Sequence, residues 1–237
     1  MEQIDTDIWI AEGGNVSFHG FAYPTRSVVV RLGSGGLWIW SPVALTPALR
    51  QAVDALGAVR HLVSPNKLHY LFLQDWHAAY PEAKLWGPAS TIARFPALPF
   101  QAPLGDSPPP EWLPDIDQAW FRGSFALDEI AFCHRPSATA IIADLVQSFS
   151  DDFLRRCWGP WRFVARLSGL TEAKASAPID YRLSFIHRAP ARRARDKVLA
   201  WQCRRVVMAH GEWMREDGSA RLARSFRWLG RTRASRN

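Results

Sequence analysis

The 237-residue chain has no apolar run near the ~20 residues that a membrane-spanning helix needs. Its opening, MEQIDTDIWIAEGG, lacks the basic-then-apolar pattern of a secretory leader, so the expected location is the cytoplasm. Cysteine is scarce. Cys133, Cys157 and Cys203 are odd in number, far apart and in no CxxC pair, which argues against a disulfide framework and a structural zinc knot. No glycine-rich loop leads into Lys-Ser or Lys-Thr at a helix start; Gly33–Gly36 reads as a hairpin turn, not a phosphate cradle. Acidic residues run short only toward the C-terminus, where residues 182–237 carry 15 Lys and Arg against 4 Asp and Glu. The preceding 181 residues carry 14 against 18.

What is present describes a globular chain, 48% apolar and 22% charged, that can bury a sizeable core. The basic C-terminal quarter suits an acidic partner or an anionic membrane surface, or is a solvated arginine-rich helix face. With little lysine and few aromatics it offers no stacking platform, so no specific nucleic acid is expected.

Along the chain, Ile8–Ile10 reads as a short strand followed by a Gly-Gly turn. Arg26–Leu32 and Leu37–Trp40 form a hairpin. Thr46 caps a helix with Pro47 at its first position. A strand ends at Val63, and after the turn a helix is predicted from Leu68, with Leu71, Phe72 and Trp76 at helical spacing, to about Tyr80. Strand Lys84–Trp86, a short helix ended by Pro96, and an irregular stretch Ala97–Pro114 follow. Strands are predicted at Gln118–Phe121, Glu129–His134, Ala138–Ala143 and Arg205–Ala209. Helices are predicted at Asp152–Leu170 (interrupted at Gly159 and Pro160), Ala191–Trp201 and Gly218–Leu229. Hairpins and βα units alternate in both halves. That order fits an α/β (α+β) fold, a four-layer αββα sandwich of two mixed sheets, as a single domain over 1–230 with a basic disordered tail at 231–237.

The stretch SPNKLHYLFLQDW, Ser64–Trp76, draws attention because Asn66 and His69 sit where a strand gives way to a helix. Such turns present side chains at strand ends while both flanks stay packed. His61, beside Arg60 at a strand start, is expected at the surface, and His77 on the surface or satisfied within the core.

With IWIAEGG, VVVRLGSGGLWIWSP, the Ser64–Trp76 turn, HRPSATAIIADL and VVMAHGE in this order, the chain resembles the metallo-β-lactamase-like superfamily, in a branch of unknown function, over about residues 5–215. Active members carry two metals on an HxHxDH motif, a later His, a bridging Asp and a final His. The resemblance lays Pro65 and Lys67 on the first two histidines, His69 on the motif's Asp and Tyr70 on its last His. It places Ser137 near the lost third His, Asp144 on the bridging Asp and His210 on the final His. Ser41 falls where relatives keep an Asp that supports the ligands. The motif is therefore degenerate, with the first metal's own ligands gone.

The resemblance implies a reduced site in which His69, Asp144 and His210 bind one zinc or iron ion, or none. Within it His69, Asp144 and Asn66 are the catalytic candidates, Asn66 orienting a substrate carbonyl, and Lys67, Tyr70 and Ser137 are the binding candidates. Lys67 near the cleft would repel a cation. A metal-free alternative uses His69 as general base on Asp144, with Lys67 or Arg135 holding an anionic substrate. The expected function is hydrolysis of a small ester or thioester-type substrate; the alternative is a non-catalytic ligand- or partner-binding module. Phe153–Leu170 reads as a lid carrying Trp158, Trp161 and Phe163, as an interfacial helix with Arg155, Arg156, Arg162 and Arg166 on lipid, or as plain packing on the sheet.

Overall fold

Consecutive valines of VVVRL serve different cores, which is the physical basis of the layering. Val28 and Val30 join Trp38, Trp40 and Trp86 in an inner core, while Val29 joins Trp9, Leu37, Ile39 and Leu62 in an outer one. The computed structural model describes residues 1–230; the expected tail at 231–237 lies outside the described residues. The first sheet contains β1 (Glu2–Asp5), β2 (Ile8–Phe18), β3 (Phe21–Arg31), β4 (Leu37–Trp40), β5 (Val59–Val63) and β6 (Lys84–Trp86), side by side in chain order. Its pairs are antiparallel up to β4 and parallel from β4 to β6. The second contains β7 (Ile116–Phe121), β8 (Glu129–His134), β9 (Thr139–Ile142) and β10 (Arg205–Met208) in the order β10-β9-β8-β7, with only β10 and β9 parallel.

Ile130, Phe132, Ile141 and Val207 of the second sheet meet the inner core of the first. Helices cover both outer faces. Val53 of α1 (Pro47–Asp54) and Leu73 and Trp76 of α2 (Leu73–Ala79) pack on the first sheet, and the short α3 (Ala89–Arg94) follows β6. After α4 (Asp151–Phe153), α5 (Arg162–Ser168) and α6 (Ile179–Ser184), the second sheet is covered by Ala191, Ala194 and Val198 of α7 (Arg188–Ala200) and Leu222 of α8 (Gly218–Ser225). This is the expected four-layer αββα sandwich of two mixed sheets.

Local signals set many boundaries. The Thr46 hydroxyl accepts from the Leu49 amide at 3.2 Å, and Pro47 opens α1. Between α4 and α5 the chain passes through a π-helical turn, Leu154–Trp158, and a 3-10 turn, Gly159–Trp161. Gly159 adopts φ 51°, and Pro160 has no amide to continue a helix.

Other boundaries move. β2 does not stop at Ile10; it runs to Phe18, and Gly13 and Gly14 form a bulge opposite Thr25, between the Glu12–Arg26 and Asn15–Pro24 pairs, rather than a turn. The helix after the central turn starts at Leu73 instead of Leu68, because Asn66 and Ser64 hold residues 64–69 in a non-helical loop. β1 and α6 have no counterpart in the predicted elements, and the last helix ends at Ser225, followed by a 3-10 turn at Arg227–Leu229. His61 is buried, not exposed: its Nδ1 accepts from Trp86 Nε1 at 3.1 Å and its ring meets the Trp112 edge.

Candidate functional site

Four strands deliver side chains to one end of the sandwich, each just beyond its carboxyl end. Ser41 follows β4, Asn66 and His69 follow β5, Asp144 follows β9 and His210 follows β10. Register explains the pairing within each sheet. Ile142 lies opposite Met208 in the parallel β9–β10 pair, so Asp144 and His210, each two residues further on, come out side by side. Trp40 lies opposite Val63, and the Ser41 amide donates to the Val63 carbonyl at 2.9 Å, which brings Ser41 beside the turn after β5.

That turn is built by its own polar groups. Ser64 Oγ donates toward the carbonyls of Asn66 at 2.7 Å and His69 at 3.0 Å, and Asn66 Oδ1 accepts the Leu68 amide at 2.8 Å. The Pro65 carbonyl takes the Ile130 amide at 2.9 Å, tying the turn to the second sheet. His69 is thereby brought to the carboxylate of Asp144, with Nε2 at 3.3 Å from Oδ2, while His210 Nε2 lies 3.5 Å from Oδ1. One ligand atom from each of the three residues lies within 4.8 Å of the others.

Each imidazole is fixed from behind. Ser41 Oγ lies 2.7 Å from His69 Nδ1, and His210 Nδ1 donates to the Pro24 carbonyl at 2.7 Å. With Nδ1 committed to Pro24, Nε2 is the His210 nitrogen that faces the carboxylate. Burial pushes the Asp144 carboxyl up, but hydrogen bonds and charge from His210 and His69 outweigh it and hold it well below the usual carboxylate range. Gln147 Nε2 adds a bond to Asp144 Oδ1 at 3.0 Å.

Glu129 is the residue that sequence reasoning missed. It is fully buried at the start of β8, and it accepts the amides of Ala143 and Asp144, each at 2.8 Å. Burial and the neighbouring Asp144 charge push its carboxyl up to about 8. Asn66 Nδ2 bridges the two acids, 3.2 Å from Glu129 Oε2 and 2.9 Å from Asp144 Oδ2. With its Oδ1 also occupied, Asn66 braces the loop and is not free to orient a substrate carbonyl. The available signal was a carboxylate opening the otherwise apolar strand EIAFCH.

The other named residues separate. Lys67 and Tyr70 line the cleft, but the Tyr70 ring packs at a tilt against Phe95 with centroids 4.3 Å apart, beneath the Arg94 guanidinium. Ser137 does not reach the cleft. It sits in the β8–β9 turn at the opposite end of β9 from Asp144, 2.8 Å from both His134 Nδ1 and Thr139 Oγ1. In the same turn Arg135 pairs with Asp117 at 2.9 Å, away from any substrate. Ser41, read as a lost support, supports His69 with its hydroxyl. The cleft widens into a cavity of about 840 Å³ whose lining includes Tyr23, Trp158, Leu71, Phe125 and Tyr181.

A four-layer sandwich with its polar centre at these strand ends is the metallo-β-lactamase fold. The structure of DIM-1 metallo-β-lactamase exposed to ceftazidime superposes with a TM-score of 0.64 at 16% identity, over 96% of this chain and 94% of that one. The metallo-β-lactamase from Pontibacter korlensis gives 0.62 at 12%, over 97% and 98%. FIM-1 from Pseudomonas aeruginosa, in its mono-zinc form, superposes with a TM-score of 0.62 at 10% identity, over 96% and 93%. Within that fold the chain belongs to the family described as Domain of unknown function (DUF4336), whose model matches residues 6–155. The match takes in Ser41, His69, Glu129 and Asp144 but not His210. No curated protein matches the sequence.

Proposed function

We propose that the cleft is a hydrolytic centre for small ester or thioester-type substrates, with one zinc or iron ion held by His69, Asp144 and His210. The observation that carries this reading is the donor set. Two imidazoles and a carboxylate converge within 4.8 Å, and each imidazole has its second nitrogen anchored, by Ser41 and by the Pro24 carbonyl. Such anchoring is what orients a metal-ligating histidine. Two His and one carboxylate with an open place suit zinc or iron, and the fold is shared with FIM-1, known in a mono-zinc form. Held there, the ion supplies Lewis acidity and a nucleophile drawn from water at neutral pH. The chain's own contribution is to keep Asp144 ionised, to hold both rings in place, and to narrow water access beside His210 with the Tyr23 ring, 5.4 Å away.

The test is metal analysis of protein purified without chelator and after reconstitution, together with turnover of activated esters, thioesters and phosphodiesters. We expect close to one ion per chain, and loss of both ion and turnover in Asp144→Ala and His210→Ala. Negligible metal before and after reconstitution overturns the reading.

A second reading has its own observation: Ser41 Oγ, His69 and Asp144 form a hydroxyl–imidazole–carboxylate chain with steps of 2.7 and 3.3 Å. In a metal-free centre Ser41 would pass its proton to His69 and attack the carbonyl; His69 would return that proton to the departing alkoxide or thiolate as its bond to the acyl carbon breaks, and water would then release the acid from Ser41. Ser41→Ala separates the two. Under the metal reading it lowers metal affinity about 10- to 100-fold, and excess metal restores turnover. Under the second, turnover survives chelator in the native chain and is lost in the variant whatever the metal supply.

A further inference from the structure

The cavity above the centre is larger and more apolar than a small ester requires. Three separate segments wall it. Tyr23 stands against His210, and Trp158 packs on both Tyr23 and Phe21, with ring centroids 5.9 and 4.4 Å apart; this aromatic wall is continuous from the centre outward. Trp158 is locked in that position by a bond from its Nε1 to the Ala22 carbonyl at 2.9 Å. On the turn after β5, Leu71 is exposed while lining the cavity, and Phe125, ahead of β8, does the same on the third wall. Large apolar side chains left in solvent around a cavity mouth mark a binding surface.

The floor differs in kind. Gln147 Oε1 and the Tyr181 hydroxyl are buried in residues lining the cavity, and neither has a hydrogen-bond partner. An unpaired buried polar group costs free energy that a bound partner recovers. Burial, with the Glu129 and Asp144 carboxyls nearby, pushes the Tyr181 phenol well above its usual range, so it stays a hydrogen-bond donor. Lys67 adds a positive charge to the lining.

From this arrangement we infer that the cavity binds a long-chain acyl compound. Its carbonyl or carboxyl head takes the Tyr181 hydrogen bond beside Lys67 and the centre, and its chain lies along the Tyr23–Trp158–Phe21 wall. This deepens the hydrolase reading, on which only the position of the scissile bond rests; binding itself needs neither metal nor turnover. The volume, about 840 Å³, falls in the range that encloses a ligand of this size.

The experiment displaces a fluorescent fatty acid from chelator-treated full-length protein with straight-chain carboxylic acids from four to fourteen carbons, below their micelle concentrations. Each methylene that enters the cavity should tighten binding roughly two- to fourfold until the chain outgrows it. Val164→Trp, which adds bulk to a lining position on α5, should shorten the chain length at which the gain stops. Tyr181→Phe should weaken every chain length by a similar factor, about three- to tenfold. An affinity independent of chain length, or a Val164→Trp profile identical to the native one, overturns the inference. Hydrolysis of short esters is scored separately, on full-length protein reconstituted with zinc or iron: turnover there with a flat binding series removes this inference alone, and a rising series without turnover there removes the hydrolase reading alone.

Discussion

His61 shows how much one neighbour can change a residue. Read beside Arg60 it looks like a surface group; in the fold it accepts a bond from Trp86 and abuts Trp112. Burial pushes its imidazole down to about 4, with Glu111 opposing and Lys84 and Arg60 adding to the effect. The folded value lies below the ordinary 6.5, so the native ring refuses a proton that the unfolded chain accepts. Stability contributed by His61 is therefore complete above about pH 6.5 and is lost as pH falls toward 4, by on the order of 1–3 kcal/mol. His61→Gln keeps an acceptor for Trp86 and does not titrate. Urea unfolding at about pH 7 and about pH 4.5 should show a smaller acid loss in this variant than in the native protein.

At the scale of elements, the loop after β10 matters most because it carries His210. Arg26 of β3, a buried guanidinium paired with Glu12 at 2.7 Å, donates to the carbonyls of Met208 at 2.6 Å and Gly211 at 2.8 Å. It pins the end of β10 to the first sheet. Gly211 then takes φ 85°, and a Cβ there would collide with the Ser148 carbonyl oxygen. Only glycine fits both demands. Gly211→Ala is expected to destabilise the fold by roughly 2–4 kcal/mol and, in whatever fraction folds, to displace His210 and weaken metal uptake. Denaturant titration with metal analysis on the same samples checks both effects. The Asp151–Ser168 segment belongs here too. Trp158 is built into the cavity wall, whereas Trp161 and Phe163 are exposed, and Arg155 and Arg156 pair with Asp152 and Arg166 with Asp151.

For the whole molecule, the interface between sheets sets the geometry of the centre, since Ser41 and His69 come from one sheet and Asp144 and His210 from the other. Trp38 lies in that interface against Phe132 and Trp112, with centroids 5.1 and 6.2 Å apart. Trp38→Ala should cost about 3–5 kcal/mol, read as a lower urea midpoint at an unchanged slope. The basic C-terminal quarter is also partly explained at this scale: Arg205 pairs with Asp5, Lys197 with Asp117 at 3.0 Å, and Arg192 donates to the Leu229 carbonyl at 2.7 Å. No helix among the described residues is long and apolar enough to cross a membrane.

The amino-acid order alone made the layers and the principal strand ends legible. The hairpin at Gly33–Gly36, the Thr46-Pro47 cap, the Gly159-Pro160 break and the positions of His69, Asp144 and His210 past apolar strands are all local signals. What it did not reveal depends on contacts between distant segments. Which end of β9 meets the centre decides that Glu129 belongs there and Ser137 does not, and strand register fixes this only once the sheet is assembled. His61 is buried by Trp86 and Trp112, 25 and 51 residues further along the chain. The apolar cavity joins three segments that no periodicity connects. Local chemistry fixed the elements and their reactive residues; sheet pairing and sheet-on-sheet packing decided which of those residues share a site.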